Sequence, residues 1–495
     1  MFCRSMDSAS RFLREPTVVR LAVLVGIPSF AFVIRAACLI KTGSAWAFDG
    51  DSPQYVALSN GLSHGCGFAY WLGGSCGGPD VFRTPLYPAF LTIFGGAWRL
   101  AVACQALLGA LTCAVVAAFV CDRYGVAPAA FAGGVVATDV PSIFVTRHLM
   151  SDPLCQFMLT VGMLLFLSGS YPTPRTRSPL LRVVIGGLFV GLGVLTRPAA
   201  IAALPILVLV LLFAGKRSGT ARIRFVALGL VLPVGLLFVW MLRNYRVAGT
   251  WTMSTEGAQV LYFYTAPGVL SESSGESIES IRAEFASDPR LSAERAVSDC
   301  PGKIGINSYD LIMCTVIAHP ALSRPMLWRS MSVIRSHPIQ AVLITTEGFL
   351  RLALQPHVPG MPDTPINHNL FHPKRTASSL TIKGLVFGAI IWSIVAFEGA
   401  VLALIWVGVV KSVWRAFGVH PVSDRVIPIL FLLGAGVLLL LPAVPAYYAW
   451  DSRYRILSIP FLAIVAATGW FHEAEQINGH AQTPASKGPD RHADG

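Results

Sequence analysis

Two carboxylates, Asp49 and Asp51, stand where an apolar stretch gives way to a polar loop, in the run Phe48-Asp49-Gly50-Asp51-Ser52-Pro53-Gln54-Tyr55. Ionised groups beside hydrocarbon are costly and usually functional. A carboxylate there can accept a proton from a hydroxyl or amine nucleophile, or hold a divalent cation. It can equally cap a helix, since Asp51-Ser52-Pro53 suits a helix starting at Pro53. Other charged turns follow: Arg83-Thr84-Pro85-Leu86-Tyr87-Pro88, Arg147-His148-Leu149-Met150-Ser151-Asp152, Thr196-Arg197-Pro198, Arg243-Asn244-Tyr245 and Asp451-Ser452-Arg453-Tyr454-Arg455. Planar guanidinium groups suit a phosphate, which they can grip with two parallel hydrogen bonds. Each arginine alone can also be a span-end residue reaching for the interface.

The elements that must position these residues are membrane helices. The 495-residue chain is 54% hydrophobic and 13% charged, against about 25% charged in soluble domains. Ten apolar segments of helix-spanning character recur, at 19–40, 100–120, 127–145, 153–170, 181–196, 199–214, 224–241, 384–410, 426–445 and 456–471. The fold class expected is an all-α polytopic membrane protein with a transmembrane core over 19–241 and three further spans in 384–471. Residues 1–18 form a cytoplasmic N-terminus that leads into a retained first helix rather than a cleaved signal. The polar tail 472–495 reads as disordered and cytoplasmic.

Basic residues orient the chain. With both termini inside, the inner pieces hold Arg4, Arg11, Arg14 and Arg20, then Arg175, Arg177 and Arg182, then Lys216, Arg217, Arg222 and Arg224, then Lys411, Arg415 and Arg425. The short outer connections hold far fewer, and long loops escape the rule. Loops 42–98 and 242–383 then lie outside, and every charged turn named above emerges on that outer side. The formal charge of +12 is accounted for by these flanking cations. No basic stretch is interleaved with aromatics, so nucleic acid is not an expected partner. Within the long loop, 326–354 has helical apolar spacing; it suits either the membrane surface or a buried face of a small outer domain, with a break at His337-Pro338.

Four cysteines fall in the outer loops. An oxidising compartment would permit Cys66–Cys76 and Cys300–Cys314 bridges, but four cysteines allow three pairings, and unbridged thiols remain the other reading. The chain has no CxxC pair, which argues against a zinc ribbon.

The run Asp51-x-x-x-Tyr55-x-Ala57-x-x-x-Gly61 with Arg83-x-Pro85-Leu86-Tyr87-Pro88 resembles the first outer loop of GT-C glycosyltransferases. It is most similar to the branch of protein O-mannosyltransferases and the lipid A aminoarabinose transferase. Leu195-Thr196-Arg197-Pro198, Arg243-Asn244-Tyr245 and Arg453-Tyr454-Arg455 fit the same pattern. The resemblance covers roughly 19–260 and 440–470. It implies transfer of a sugar from a polyprenyl-phosphate carrier to a lipid, glycan or protein acceptor on the extracytoplasmic face of a plasma or inner membrane. It places the catalytic base at Asp51, with Asp49 the near alternative and Asp152 at the second acidic position, where the branch usually has glutamate. It implies substrate contacts from Tyr55, Arg83, Tyr87, Arg147, His148, Arg197, Arg243, Arg453 and Tyr454. A metal is required in only some of the superfamily, so a divalent cation is an option and not an expectation.

The expected chemistry is a single inverting displacement, with arginines stabilising the departing phosphate. A transporter or flippase would share the span count. The span interiors, however, are nearly charge-free apart from Glu398, and no internal repeat is evident. A polysaccharide ligase using pyrophosphate-linked donors would keep its key residues in a late loop rather than the first one.

Overall fold

The computed structural model describes residues 17–40, 50–71, 73–174, 176–213, 219–288, 320–354, 356, 382–416, 422–444 and 452–480. An apolar helix stands at the place of each expected segment: α1 (Thr17–Ile40), α4 (Trp98–Tyr124), α5 (Val126–Thr138), α7 (Asp152–Ser170), α8 (Pro179–Thr196), α9 (Ala203–Phe213), α10 (Gly219–Ala248), α16 (Ile382–Ala416), α17 (Val422–Leu440) and α18 (Ile459–His480). Among the described residues, six of them are long and apolar enough to cross a membrane, and four are shorter apolar helices. The protein is thus a multi-helix membrane protein.

The connections carry the remaining elements: α2 (Ser52–Ser63), β1 (Ala69–Trp71), β2 (Cys76–Pro79), α3 (Leu86–Thr92) and α6 (Val140–Val145) near the start. Later come α11 (Glu256–Val260), α12 (Ala266–Ser274), α13 (Ile278–Ala286), α14 (Ser323–Ser336) and α15 (Pro338–Leu354). The antiparallel β1–β2 hairpin adds a strand element to a chain expected to be wholly helical.

Close helix approach is written in small residues. Helices α7 and α8 pack so tightly that a Cβ on Gly162 would meet Val190 N at 2.7 Å, and one on Gly186 would meet Phe166 N at 2.6 Å. Small residues let backbones touch where burying apolar surface drives nothing, because lipid is equally apolar. The main core runs through Val120, Leu159, Leu167, Val190, Leu207, Phe431 and Phe461.

Two segments depart from the expected spans. The segment 127–145 is not one helix: α5 stops at Asp139, whose backbone is extended (φ −61°, ψ 109°) and whose carboxylate caps α6 by accepting from Ser142 N at 3.0 Å, with Pro141 in the first turn. The freed carbonyls at the end of α5 are met by buried Arg35 of α1, which donates to Val136 O at 3.3 Å and Ala137 O at 3.2 Å. The last helix continues to His480, beyond the expected end at 471, through the helix-favouring run Glu473-Ala474-Glu475-Gln476.

The segment 326–354 breaks at His337 as its sequence suggests. Helix α14 buries Met326 in a small core with Tyr262, Phe263, Ile281 and Phe285. The end of α15 docks on the bundle, where Trp406 Nε1 donates to Ala353 O at 2.7 Å. The Cys66–Cys76 bridge is formed and closes the hairpin, whereas Cys300 and Cys314 lie outside the described residues.

Candidate functional site

Helix α2 starts where the sequence places its signal, with Asp51 as the residue before its first turn and a proline in that turn. Yet the Asp51 side chain makes no capping hydrogen bond. Its Oδ1 instead accepts from Arg83 Nη2 at 2.7 Å, and its Oδ2 faces Arg453 Nη2 at 3.8 Å. The carboxylate that could have been a cap is therefore committed to guanidinium groups. Gly50, just before it, has φ +53°, and a Cβ there would lie 3.0 Å from Met150 Cε and 3.7 Å from Arg453 Nη1. The position combines a left-handed backbone with a close approach, which only glycine meets without strain.

Arg83 is 4% exposed, and all three ends of its guanidinium are engaged. Besides Asp51, Nη1 donates to Glu256 Oε1 at 3.0 Å and Nε to Gln54 Oε1 at 2.8 Å. Its approach is fixed by Asp80, which accepts from Phe82 N at 3.2 Å and Arg83 N at 2.8 Å. The segment that brings Glu256 also pairs with this stretch, through Thr255 N to Val81 O at 3.1 Å and Ser254 Oγ to Phe82 O at 2.5 Å. Arg243 clamps the same loop by donating to the carbonyls of Asp80 and Phe68.

The last turn brings a second pair of cations. Tyr454 has the Arg197 guanidinium 5.4 Å and the Arg453 guanidinium 5.2 Å from its ring. Arg197 in turn pairs with buried Asp152 at the start of α7. Thr84 Oγ1, donating to Thr196 O at 3.0 Å, fastens the first loop beside Arg197.

Tyr55 and Tyr87 form the wall behind Asp51. Tyr55 shares a 3.0 Å hydrogen bond with Ser151 and meets Tyr87 edge-on at 4.8 Å. Tyr87 is fully buried and donates to Gln105 Oε1 at 2.5 Å, while Gln105 Nε2 donates to the carbonyls of Thr146 and His148.

The structure thus gathers Asp51, Tyr55, Arg83, Tyr87, Asp152, Arg197, Arg453 and Tyr454 at one end of the bundle. Arg243 stands beside them as a clamp on loop backbone. Arg147 makes its contacts locally, with Nε donating to His148 Nε2 at 2.9 Å and its guanidinium 5.0 Å from the Phe144 ring. Asp49 lies outside the described residues. Sequence reading missed Glu256, Gln54 and Asp80. For Glu256 the available signal was a helix start, Ser254-Thr255-Glu256, soon after Arg243; its partner Arg83 is too distant in sequence for the pairing to be read.

Electrostatics separate the two loop carboxylates. Burial pushes Asp51 up, but the guanidinium groups of Arg83, Arg453 and Arg197 outweigh it and bring the carboxyl down to about 2. Burial dominates at Asp80, which rises to about 6 despite the amides of Arg83 and Phe82. Asp51 is therefore an anion at every working pH, set in a field of cations. Among the described residues, no three His, Cys, Asp or Glu side chains converge as a metal site.

No family model matches the chain, and no curated protein matches it in sequence. In fold it is similar to the archaeal oligosaccharyltransferase AglB from Archaeoglobus fulgidus, solved in complex with an inhibitory peptide and a dolichol-phosphate. The TM-score is 0.51 at 14% identity, covering 94% of this chain and 52% of that one. The chain thus spans about half the length of that oligosaccharyltransferase. ArnT from Cupriavidus metallidurans bound to undecaprenyl phosphate aligns over 95% of this chain and 82% of that one, with a TM-score of 0.38 and 16% identity. At 14% identity over 94% of this chain, the likeness to the oligosaccharyltransferase is one of fold.

Proposed function

We propose that the protein is a membrane glycosyltransferase that moves a sugar from a polyprenyl-phosphate donor to a lipid, glycan or protein acceptor. The observation that carries this reading is the cluster at one end of the bundle, in which one partly exposed carboxylate, Asp51, faces Arg83 and Arg453, with Arg197 adjoining through Tyr454. Guanidinium groups gathered at a membrane boundary suit a lipid-linked phosphate, and a part-exposed carboxylate beside them suits the hydroxyl or amine of an acceptor. The six long apolar helices then cross the membrane with the shorter ones packed among them, both termini lie on the cytoplasmic side, and the site opens on the extracytoplasmic side, as the basic residues of the connections favour.

In this reaction the acceptor attacks the anomeric carbon, the bond from that carbon to the phosphate oxygen breaks, and the configuration inverts. Asp51 orients the acceptor. Held near 2, it is a weak base toward a free hydroxyl. It takes the proton late, once bond formation has made the acceptor oxygen acidic. Arg453 and Arg197 stabilise the charge left on the departing polyprenyl phosphate. Arg83, engaged by Asp51, Glu256 and Gln54, orients the carboxylate rather than the phosphate.

The test is sugar transfer from polyprenyl-phosphate donors in membranes carrying Asp51→Asn, Asp49→Asn or Arg453→Ala. Loss of transfer with Asp51→Asn and Arg453→Ala supports the reading. Near-full transfer by Asp51→Asn, together with abolition by Asp49→Asn, moves the base to Asp49. Full activity in all three overturns the site.

A further inference from the structure

Glu398 stands within Trp392–Arg415, a segment long and apolar enough to cross a membrane. Its side chain is 3% exposed and pairs directly with Arg455, which is 1% exposed. The proposed reaction uses neither residue. A buried ion pair is poor evidence of stability, because desolvation offsets most of the attraction. Its best-attested use is to specify one geometry, and the planar guanidinium is well suited to that.

The geometry specified is that of a single short turn. Arg453, Tyr454 and Arg455 are consecutive in the 3-10 turn Ser452–Arg455. With three residues per turn, consecutive side chains diverge around it. Arg453 and Tyr454 lie at Asp51 and Arg197, while Arg455 runs the other way into the bundle. The charge of Asp139, at the break between α5 and α6, also acts on Arg455. Past the turn, Gln156 Nε2 donates to Ile456 O at 2.8 Å, and Ser458 Oγ donates to Arg455 O at 2.7 Å. Helix α6 and α15 pack against the same turn.

We infer that Glu398 is a positioning residue: through Arg455 it sets the depth and rotation of the turn that presents Arg453 and Tyr454 to the donor phosphate. This rests on the donor reading above. The pair acts as a peg beneath the site. An apolar pair of similar volume would fill the space but would leave the turn free to rotate.

The experiment uses the full chain in lipid nanodiscs, with undecaprenyl phosphate as the probe and two readouts, its Kd and the thermal midpoint. Glu398→Gln alone leaves Arg455 without its partner and can fail to fold, so the decisive variant is the double replacement Glu398→Leu with Arg455→Met. It is expected to keep a thermal midpoint within a few degrees of wild type while binding undecaprenyl phosphate about tenfold or more weakly, comparable to Arg453→Ala. Adding Arg453→Ala to the double replacement should weaken binding little further, because both changes remove the same contact. A folded double variant with wild-type affinity overturns the inference and leaves the donor reading standing, as does a full multiplicative loss on adding Arg453→Ala. A wild-type chain that does not bind the probe overturns the donor reading and the inference together.

Discussion

Two charged clusters draw on the same short turn of this protein, Ser452–Arg455, and they are built on opposite rules. The first, around Asp51, is part-exposed: Asp51 and Glu256 are 27% and 29% exposed and share Arg83, with Arg453 close by and Arg197 paired with Asp152. The second, Glu398 with Arg455, is buried, and the charge of Asp139 also acts on Arg455. A buried ion pair offers nothing to a ligand, whereas part-exposed charges at a polar boundary can be reached by one. On the proposed function, the contrast separates scaffold charge from binding charge within one chain.

Predictions that break or sharpen this contrast follow in order of size. Removing one member of the buried pair, as in Glu398→Ala, should cost about 3–5 kcal/mol by taking the carboxylate of Glu398 away from buried Arg455. It should appear as lost folded protein and a lowered thermal midpoint in detergent; an unchanged midpoint would mean that the pair is hydrated or dispensable. Asp51→Asn should lower the midpoint less, since its carboxylate is part-exposed, but should lower sugar transfer by about 100-fold or more, measured with a polyprenyl-phosphate donor.

Next is a pH effect. Asp80 has a folded pKa of about 6, above its ordinary 3.8, so the folded state binds the extra proton. Stability should fall as pH rises from about 4 to 6, by an amount on the order of 2 kcal/mol, and level off above that. Denaturant titration across this range checks it, and Asp80→Asn should flatten the slope. Asp51, depressed to about 2, contributes in the opposite sense. Its stabilisation is present above pH 4 and is lost only as pH falls through 2, so it should produce no acid limb in activity between pH 5 and 8. The smallest effect is expected from Gly50→Ala, about 1 kcal/mol from the left-handed backbone. The new methyl against Met150 and Arg453 should also lower transfer several-fold.

Much of the helical frame was legible. Blocks of apolar residues mark a bundle whatever its packing, because hydrocarbon requires each backbone to satisfy itself as a helix. Asp51 and Arg83 stood out as candidates because charged residues beside apolar blocks are rare, and the structure pairs them. The break at Asp139 was not, since 127–145 is apolar enough to pass as one span and the residue that makes the break tolerable, Arg35, comes from another helix. Arg243 read as a substrate contact from its place at a span end, whereas its hydrogen bonds to the carbonyls of Asp80 and Phe68 emerge only when the first loop folds back on it.

By itself, then, the sequence determined the kind of solvent each segment meets and where charge stands at its edges. Those properties follow from local composition and helical periodicity. The tertiary structure alone decided which charges meet. It joined Arg83 to Glu256, Arg453 to Asp51 and Glu398 to Arg455, because an ion pair depends on a few ångströms of separation and on burial, and neither is written at any spacing along the chain.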